Sequence, residues 1–250
     1  MAACIKPFHY NWNRALWLIE FLEFHKVLGV SHFVFYNHTL GPAVDLVSYM
    51  FILLEKDGYC IQLCNQVIQR YVNMGVATVL DWNLPLKTQK QIRTEGMFTA
   101  LNECNLRLVN RFEFTLMVDV DEFILPYGNV TDLFQMIDGI TGSPKLGAFV
   151  FKNAFHYLYW SNDTSTTEKY ARGLFNQYDV KKVNDTLSIV QPYLLTQTKT
   201  RRLINLHNHG TRSKYIVRPD AADMIGNHNV WTFFPGSIFL NHINKFYKCH

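Results

Sequence analysis

Three acids lie in one apolar segment. In FTLMVDVDEFILP, Phe114 to Pro126, a run of the kind that buries as a β-strand carries Asp119, Asp121 and Glu122 and then turns apolar again. Carboxylates in such surroundings are costly unless something positive meets them. In an extended chain, residues two apart share a face, so Asp119 and Asp121 are expected to project together while Val120 points into the packing. Two partners fit: a divalent cation joining the pair, or an ion pair with Arg or Lys at the strand end. Hard oxygen donors select Mg²⁺, Mn²⁺ or Ca²⁺ over zinc.

The elements that must position these acids alternate. Leu16, Ile19, Phe21, Leu22, Phe24 and Leu28 recur at helical spacing and Gly29 stops the helix. SHFVFYN follows as a short buried strand. Pro42 opens a second helix continued by Leu46 to Glu55, and GVATVLDWN is the next strand. Lys87 to Leu108 is the longest helix expected, with Met97, Leu101, Cys104 and Leu108 on one face, and it leads into the strand FEFTLMVDV. This order predicts an α/β domain on a largely parallel sheet, whose ligands sit beyond the carboxyl ends of the strands. Later, VTDLFQMID reads as a short helix and KLGAFVFKN, SKYIVRPD, VWTFF and SIFLNHI as strands. Residues 160 to 186 read as polar, with an exposed loop at SNDTSTTEK. One segment, FILLEKDGYCIQLCNQ at 51–66, disturbs the alternation. It reads equally as an extra hairpin, a family-specific insertion or sequence foreign to the fold.

The bulk numbers bound the function. At 250 residues with 48% hydrophobic and 15% aromatic content, the chain can bury a large core. A net charge of +4 is too mild for a nucleic-acid binder, though it suits an anionic small substrate. No apolar run has the length to span a bilayer. The start, MAACIKPFHY, lacks the form of a secretory signal and opens into folded-looking sequence, as expected of a domain from a longer chain. Four glycosylation acceptors (Asn37-His38-Thr39, Asn129-Val130-Thr131, Asn162-Asp163-Thr164 and Asn184-Asp185-Thr186) point toward the secretory lumen. The five cysteines allow at most two internal disulfides, and Cys60 and Cys64 lack the spacing of a zinc site. An Asp-x-Asp phosphatase calls for Thr soon after the second acid; Glu122 and Phe123 stand there instead.

RALWLIEFLEFHKVLGVSHFVFYN, ALNECNLR, MVDVDEFILP and KYIVRPD, in that order and spacing, resemble glycosyltransferase family 92, from about Cys4 to His242. The resemblance implies a GT-A-like nucleotide-sugar-binding fold with helices on both faces of the sheet. It implies a single domain over 1–250, with a nucleotide-sugar half at 1–126 and an acceptor half at 127–250. The implied reaction is metal-dependent, inverting transfer of galactose from UDP-galactose to a glycan, such as fucose on an N-glycan core. Asp119 and Asp121 would hold Mn²⁺ or Mg²⁺ against the diphosphate, Asp119 would also approach the nucleoside, and Glu122 would orient them. A late histidine completes such sites. His242 in FLNHINKF is the candidate and His228 the alternative, although Ile243 and Asn244 stand where the family has Tyr and Arg. Asn37 and Arg14 lie where the nucleotide is expected, and Lys214 and Arg218 are available to anionic groups. Trp17, Trp82 and Trp231 are candidates for sugar stacking. Glu168, with Asp163 as alternative, is the candidate base for the acceptor hydroxyl. Relatives of this kind are Golgi-luminal, single-pass membrane proteins, with an anchor expected upstream of this chain. The competing expectation is a catalytically silent relative that binds glycan or protein.

Overall fold

The computed structural model describes residues 1–40, 63–85, 92–126, 128–140, 146–163, 194–208 and 210–249; for 63–66, 93 and 238–249 it describes the backbone alone. The second expected helix, and residues 51–62 of the segment at 51–66, lie outside these residues.

Eight strands form one sheet. In chain order they are β1 (Ala2–Cys4), β2 (His32–Asn37), β3 (Ala77–Asp81), β4 (Thr115–Met117), β5 (Phe123–Leu125), β6 (Leu146–Ala154), β7 (Lys214–Val217) and β10 (Ile238–Cys249). Across the sheet the order is β3-β2-β1-β4-β7-β6-β10-β5. The pairs β3·β2, β2·β1, β1·β4 and β6·β10 are parallel, while β7 runs against β4 and β6, and β5 against β10. β8 (Ala222–Ile225) and β9 (Val230–Phe233) form a separate hairpin.

Period-2 alternation sorts the strand residues onto two faces. Ala3, Phe33, Phe35, Leu116, Phe149 and Ile216 pack on one side with α1 (Ala15–Val27), α2 (Leu63–Asn73) and α4 (Leu133–Asp138). Ala2, Cys4, Val34, Tyr36, Met117, Val150 and Tyr215 pack on the other with α3 (Met97–Leu108) and the β8–β9 hairpin. Helices therefore cover both faces, as expected of this α/β order. A disulfide between Cys4 and Cys104, Cα atoms 6.0 Å apart, pins α3 to β1. A disulfide typically contributes about 2–4 kcal/mol.

Two expectations are corrected. The helix expected over Lys87 to Leu108 is interrupted before Met97, because Thr94, Glu95 and Gly96 all take positive φ, and its first residues, 87–91, lie outside the described residues. The strand expected to run through Val120 stops at Met117, and the acids sit in a turn beyond it. Missing from the sequence reading is β1. Ala-Ala-Cys carries no β-branched residue and becomes a strand through its pairing with β2 on one side and β4 on the other.

Strand β1 is the pivot of the site. From it the chain winds outward through β2 to β3, then returns across the opposite face to β4 on the other flank. A crevice opens at such a reversal, at the carboxyl ends of the two strands. Lys6 follows β1 and Asp119 follows β4, and both stand at that crevice.

Candidate active site

Glu122 builds the acidic turn. Its backbone N–H donates to the Asp119 carbonyl at 3.0 Å, and its Oε2 accepts from the Asp119 N–H at 2.9 Å. Val120 is buried inward, as alternation predicts. The turn, rather than an extended strand, gathers Asp119, Asp121 and Glu122, with one carboxylate oxygen of each lying within 4.8 Å of the others.

Lysines answer part of this charge. Lys214, at the start of β7, is 1% exposed, and its Nζ lies 3.3 Å from both Asp119 Oδ1 and Glu122 Oε2. Burial alone would lower the Lys214 pKa, but Asp119 and Glu122 outweigh it and hold the ammonium above its ordinary value. Lys214 also donates to Asn227 Oδ1 at 2.8 Å, and the Asn227 amide lies 3.3 Å from His228 Nε2. Lys6 takes the remaining Asp119 oxygen at 3.0 Å from a half-exposed position. Asp121 has no ion pair or hydrogen bond among the described residues. Among the described residues, Lys6 and Lys214 face Asp119, Lys214 also faces Glu122, and neither lysine faces Asp121. Such a donor set fits a hard divalent cation, which Asp121 and Asp119 would hold.

A pocket of about 440 Å³ adjoins the turn, lined among others by Lys6, Phe8, His9, Trp12, Glu95 and Val120. Phe8 and Trp12 pack with ring centroids 4.7 Å apart. Glu95 ties two arms of the rim together: it lies 3.3 Å from His9 Nδ1 and accepts from the Tyr10 hydroxyl. Tyr10 and Asn11 on one arm and Thr94 and Glu95 on the other all have φ between 51 and 60°. Left-handed backbone at non-glycine residues costs about 1–3 kcal/mol each and concentrates where a ligand must be met. Burial lowers the His9 pKa, Glu95 opposes this, and His38 and Lys6 lower it further, so the ring is neutral near pH 7. Its Nε2 is buried with no hydrogen-bond partner among the described residues. Lys6, His9 and Glu95 were missed in the sequence; a basic residue just past β1 signals them only once β1 is recognised as a strand.

The other candidates divide. Asn37 ends β2 and bridges to Phe8 of the pocket lining, its Oδ1 accepting from the Leu40 N–H at 3.1 Å. Arg14 is exposed and lies 4.0 Å over the Trp17 ring. Arg218 sits at the far end of β4, 2.9 Å from Glu113 and stacked on Phe114, and is not brought to the turn. His228 joins the site indirectly, through Asn227 and Lys214. His242 lies in β10, whose next residue, Ile243, is in register with Phe151 and through it with Lys214; its side chain is outside the description. Asp163 accepts from the Thr200 hydroxyl at 2.6 Å. Glu168 lies outside the described residues. Trp82 packs edge-on against Tyr36, and Trp231 packs on Phe98.

Among solved structures, the mannosyltransferase Ktr4p from S. cerevisiae in complex with GDP is similar at a TM-score of 0.30 and 10% identity, covering 88% of this chain. This chain spans 57% of that one. No curated protein is matched. The profile of glycosyltransferase family 92 matches residues 1–47 and 61–248, passing over 48–60. That match takes in both strands of the crevice, the acidic turn, the buried lysine and the late strand, and the chain belongs to glycosyltransferase family 92.

Proposed function

We propose that this protein transfers a sugar from a nucleotide-sugar donor to a glycan, with the reaction centred on the acidic turn. The observation that carries the reading is the meeting of Lys6 and Asp119 at the reversal between β1 and β4, 3.0 Å apart beside an aromatic pocket. The nucleoside enters that pocket against Phe8 and Trp12. His9 donates a hydrogen bond from Nδ1–H to Glu95, leaving Nε2 to accept a hydrogen bond from the base, which suits the N3–H of uracil. The diphosphate then lies across the mouth toward the turn.

Bound Mn²⁺ or Mg²⁺ would supply Lewis-acid neutralisation of the leaving diphosphate, and Asp119 and Asp121 are the residues that would hold it, with His242 or His228 as further candidates. Lys6 exchanges Asp119 for a phosphate oxygen. Lys214 stays buried and keeps Asp119 and Glu122 in place. The finer assignment is inverting transfer of galactose from UDP-galactose to fucose on an N-glycan core, with Glu168, or Asp163, receiving the acceptor proton. A Golgi-luminal, membrane-anchored setting belongs to the same reading. The Cys4–Cys104 disulfide fits an oxidising compartment. Among the described residues no helix is long and apolar enough to cross a membrane.

One observation favours the silent-relative reading: both oxygens of Asp119 already face lysines. A hydrolysis screen across nucleotide sugars, with Mn²⁺, with Mg²⁺ and with chelator, separates the two. Metal-dependent turnover of one donor supports the transferase; no turnover of any donor supports the binding module.

A further inference from the structure

The turn that follows β6 exposes four large apolar side chains in succession. Tyr157 is 44% exposed, Leu158 38%, Tyr159 98% and Trp160 39%. Such a cluster in water is unfavourable unless a partner covers it. It is nonetheless firmly held. The Trp160 N–H donates to the Tyr157 carbonyl at 3.2 Å, closing the turn, and the two rings pack with centroids 5.2 Å apart. Lys199 donates to the Trp160 carbonyl, and Arg201 to the Ser161 carbonyl and hydroxyl, each at 2.6 Å. The Asp163 N–H donates to the Thr198 carbonyl at 2.9 Å. The backbone is fastened and the rings are left outside.

Sheet register sets where this turn stands. Ala154, the last residue of β6, is opposite Cys249 of β10, and Cys249 is opposite Phe123 of β5. Phe123 directly follows Glu122 of the acidic turn. Two strand spacings, about 10 Å, therefore separate Ala154 from the end of the acidic turn at the same level of the sheet. The aromatic turn begins three residues farther on, at the same edge. On the opposite flank of the acidic turn lies the pocket assigned to the nucleotide.

We propose that Tyr157, Tyr159 and Trp160 form a platform for a pyranose ring of the acceptor glycan. A pyranose presents a C–H face and a hydroxyl rim. Rigid Tyr and Trp rings bury the first at little entropic cost, and the Tyr hydroxyls meet the second. A fixed backbone spares the ordering cost that a mobile loop would add to binding. The assignment rests on the transferase reading above and deepens it by naming residues on the acceptor side.

The test uses saturation-transfer NMR on one sample holding UDP, Mn²⁺ and a pool of released N-glycans. Wild type should saturate both UDP and glycan protons. Tyr159→Ala and Trp160→Ala should each lose at least three-quarters of the glycan signal and keep the UDP signal, which also shows that they are folded. Glycan signals that persist in both variants, or that are absent with wild type while UDP binds, overturn the platform. Absence of UDP signal with wild type removes the reading beneath it. Two further arms address other occupants. Co-sedimentation with phosphatidylcholine–phosphatidylserine vesicles that both variants abolish would assign the rings to a membrane surface. A glycan signal that appears only after Asn162→Gln would assign them to the protein's own N-glycan. Either result overturns the proposal.

Discussion

Glu20 on α1 and the acidic turn after β4 both bury carboxylates, yet Glu20 receives three neutral donors whereas the turn receives two lysines. The Glu20 oxygens accept from the Leu195 N–H at 2.7 Å and from the N–H and hydroxyl of Thr196 at 2.8 and 2.6 Å. They cap α5 (Leu195–Thr198) and fasten it to the helix that covers the first half of the sheet. At the turn, among the described residues, the lysines pair with Asp119 and Glu122 and leave Asp121 without an ion pair. A buried acid held by neutral backbone and hydroxyl donors is fastening; a cluster of acids that includes one without an ion pair among the described residues is suited to a cation.

The largest effect should come from Lys214→Met, which leaves Asp119 and Glu122 buried without their inner cation. Urea denaturation should show a loss of roughly 3–5 kcal/mol, partly restored by Lys214→Met with Glu122→Gln. A loss under about 1 kcal/mol would mean that the buried pair is not part of what holds the turn. Glu20→Gln should cost less, about 1–3 kcal/mol, and leave UDP binding untouched. Its pH dependence sharpens the contrast. Burial, only partly opposed by the Thr196 and Leu195 donors, holds the Glu20 carboxyl above its ordinary 4.5. A carboxyl raised on folding contributes most below its unfolded pKa, and that contribution is lost as pH rises through the folded value. Wild type should therefore lose stability relative to Glu20→Gln as pH climbs from 4.5 through the mildly acidic range. Parallel curves would refute the raised pKa. Lys6→Ala, removing a half-exposed partner, should cost at most about 1 kcal/mol. It should nonetheless weaken UDP binding in calorimetry several-fold, and unchanged affinity would take Lys6 out of the diphosphate site.

Much of the frame was legible because its periodicity is strong. Phe33 to Tyr36 and Phe149 to Phe151 are apolar on both faces, as strands covered by helices on either side must be. The helical spacing that includes Leu16, Phe21 and Leu22 declares α1, and all three are buried. The acids themselves stood out against their neighbours. Their geometry did not, because Val118, Val120 and Phe123 continue the apolar pattern straight through a turn closed by the Glu122 side chain. Lys6, His9 and Glu95 were hidden for another reason. They converge from the end of a three-residue strand and from a break before α3, and only tertiary pairing creates either feature. Lys214 read as a strand-edge cation available to substrate, although β7 lies between β4 and β6 and keeps it covered.

The central claim is that Asp121 is held open for a divalent cation shared with a nucleotide diphosphate. Calorimetric titration of UDP into wild type and Asp121→Ala, each with Mn²⁺ and with chelator, tests it most directly. Wild type with Mn²⁺ should bind at least tenfold more tightly than the other three combinations, while Asp121→Ala keeps the wild-type denaturation midpoint. Equal affinity in all four would mean that Lys6 and Lys214 supply the positive charge by themselves, and the metal-centred account would be wrong.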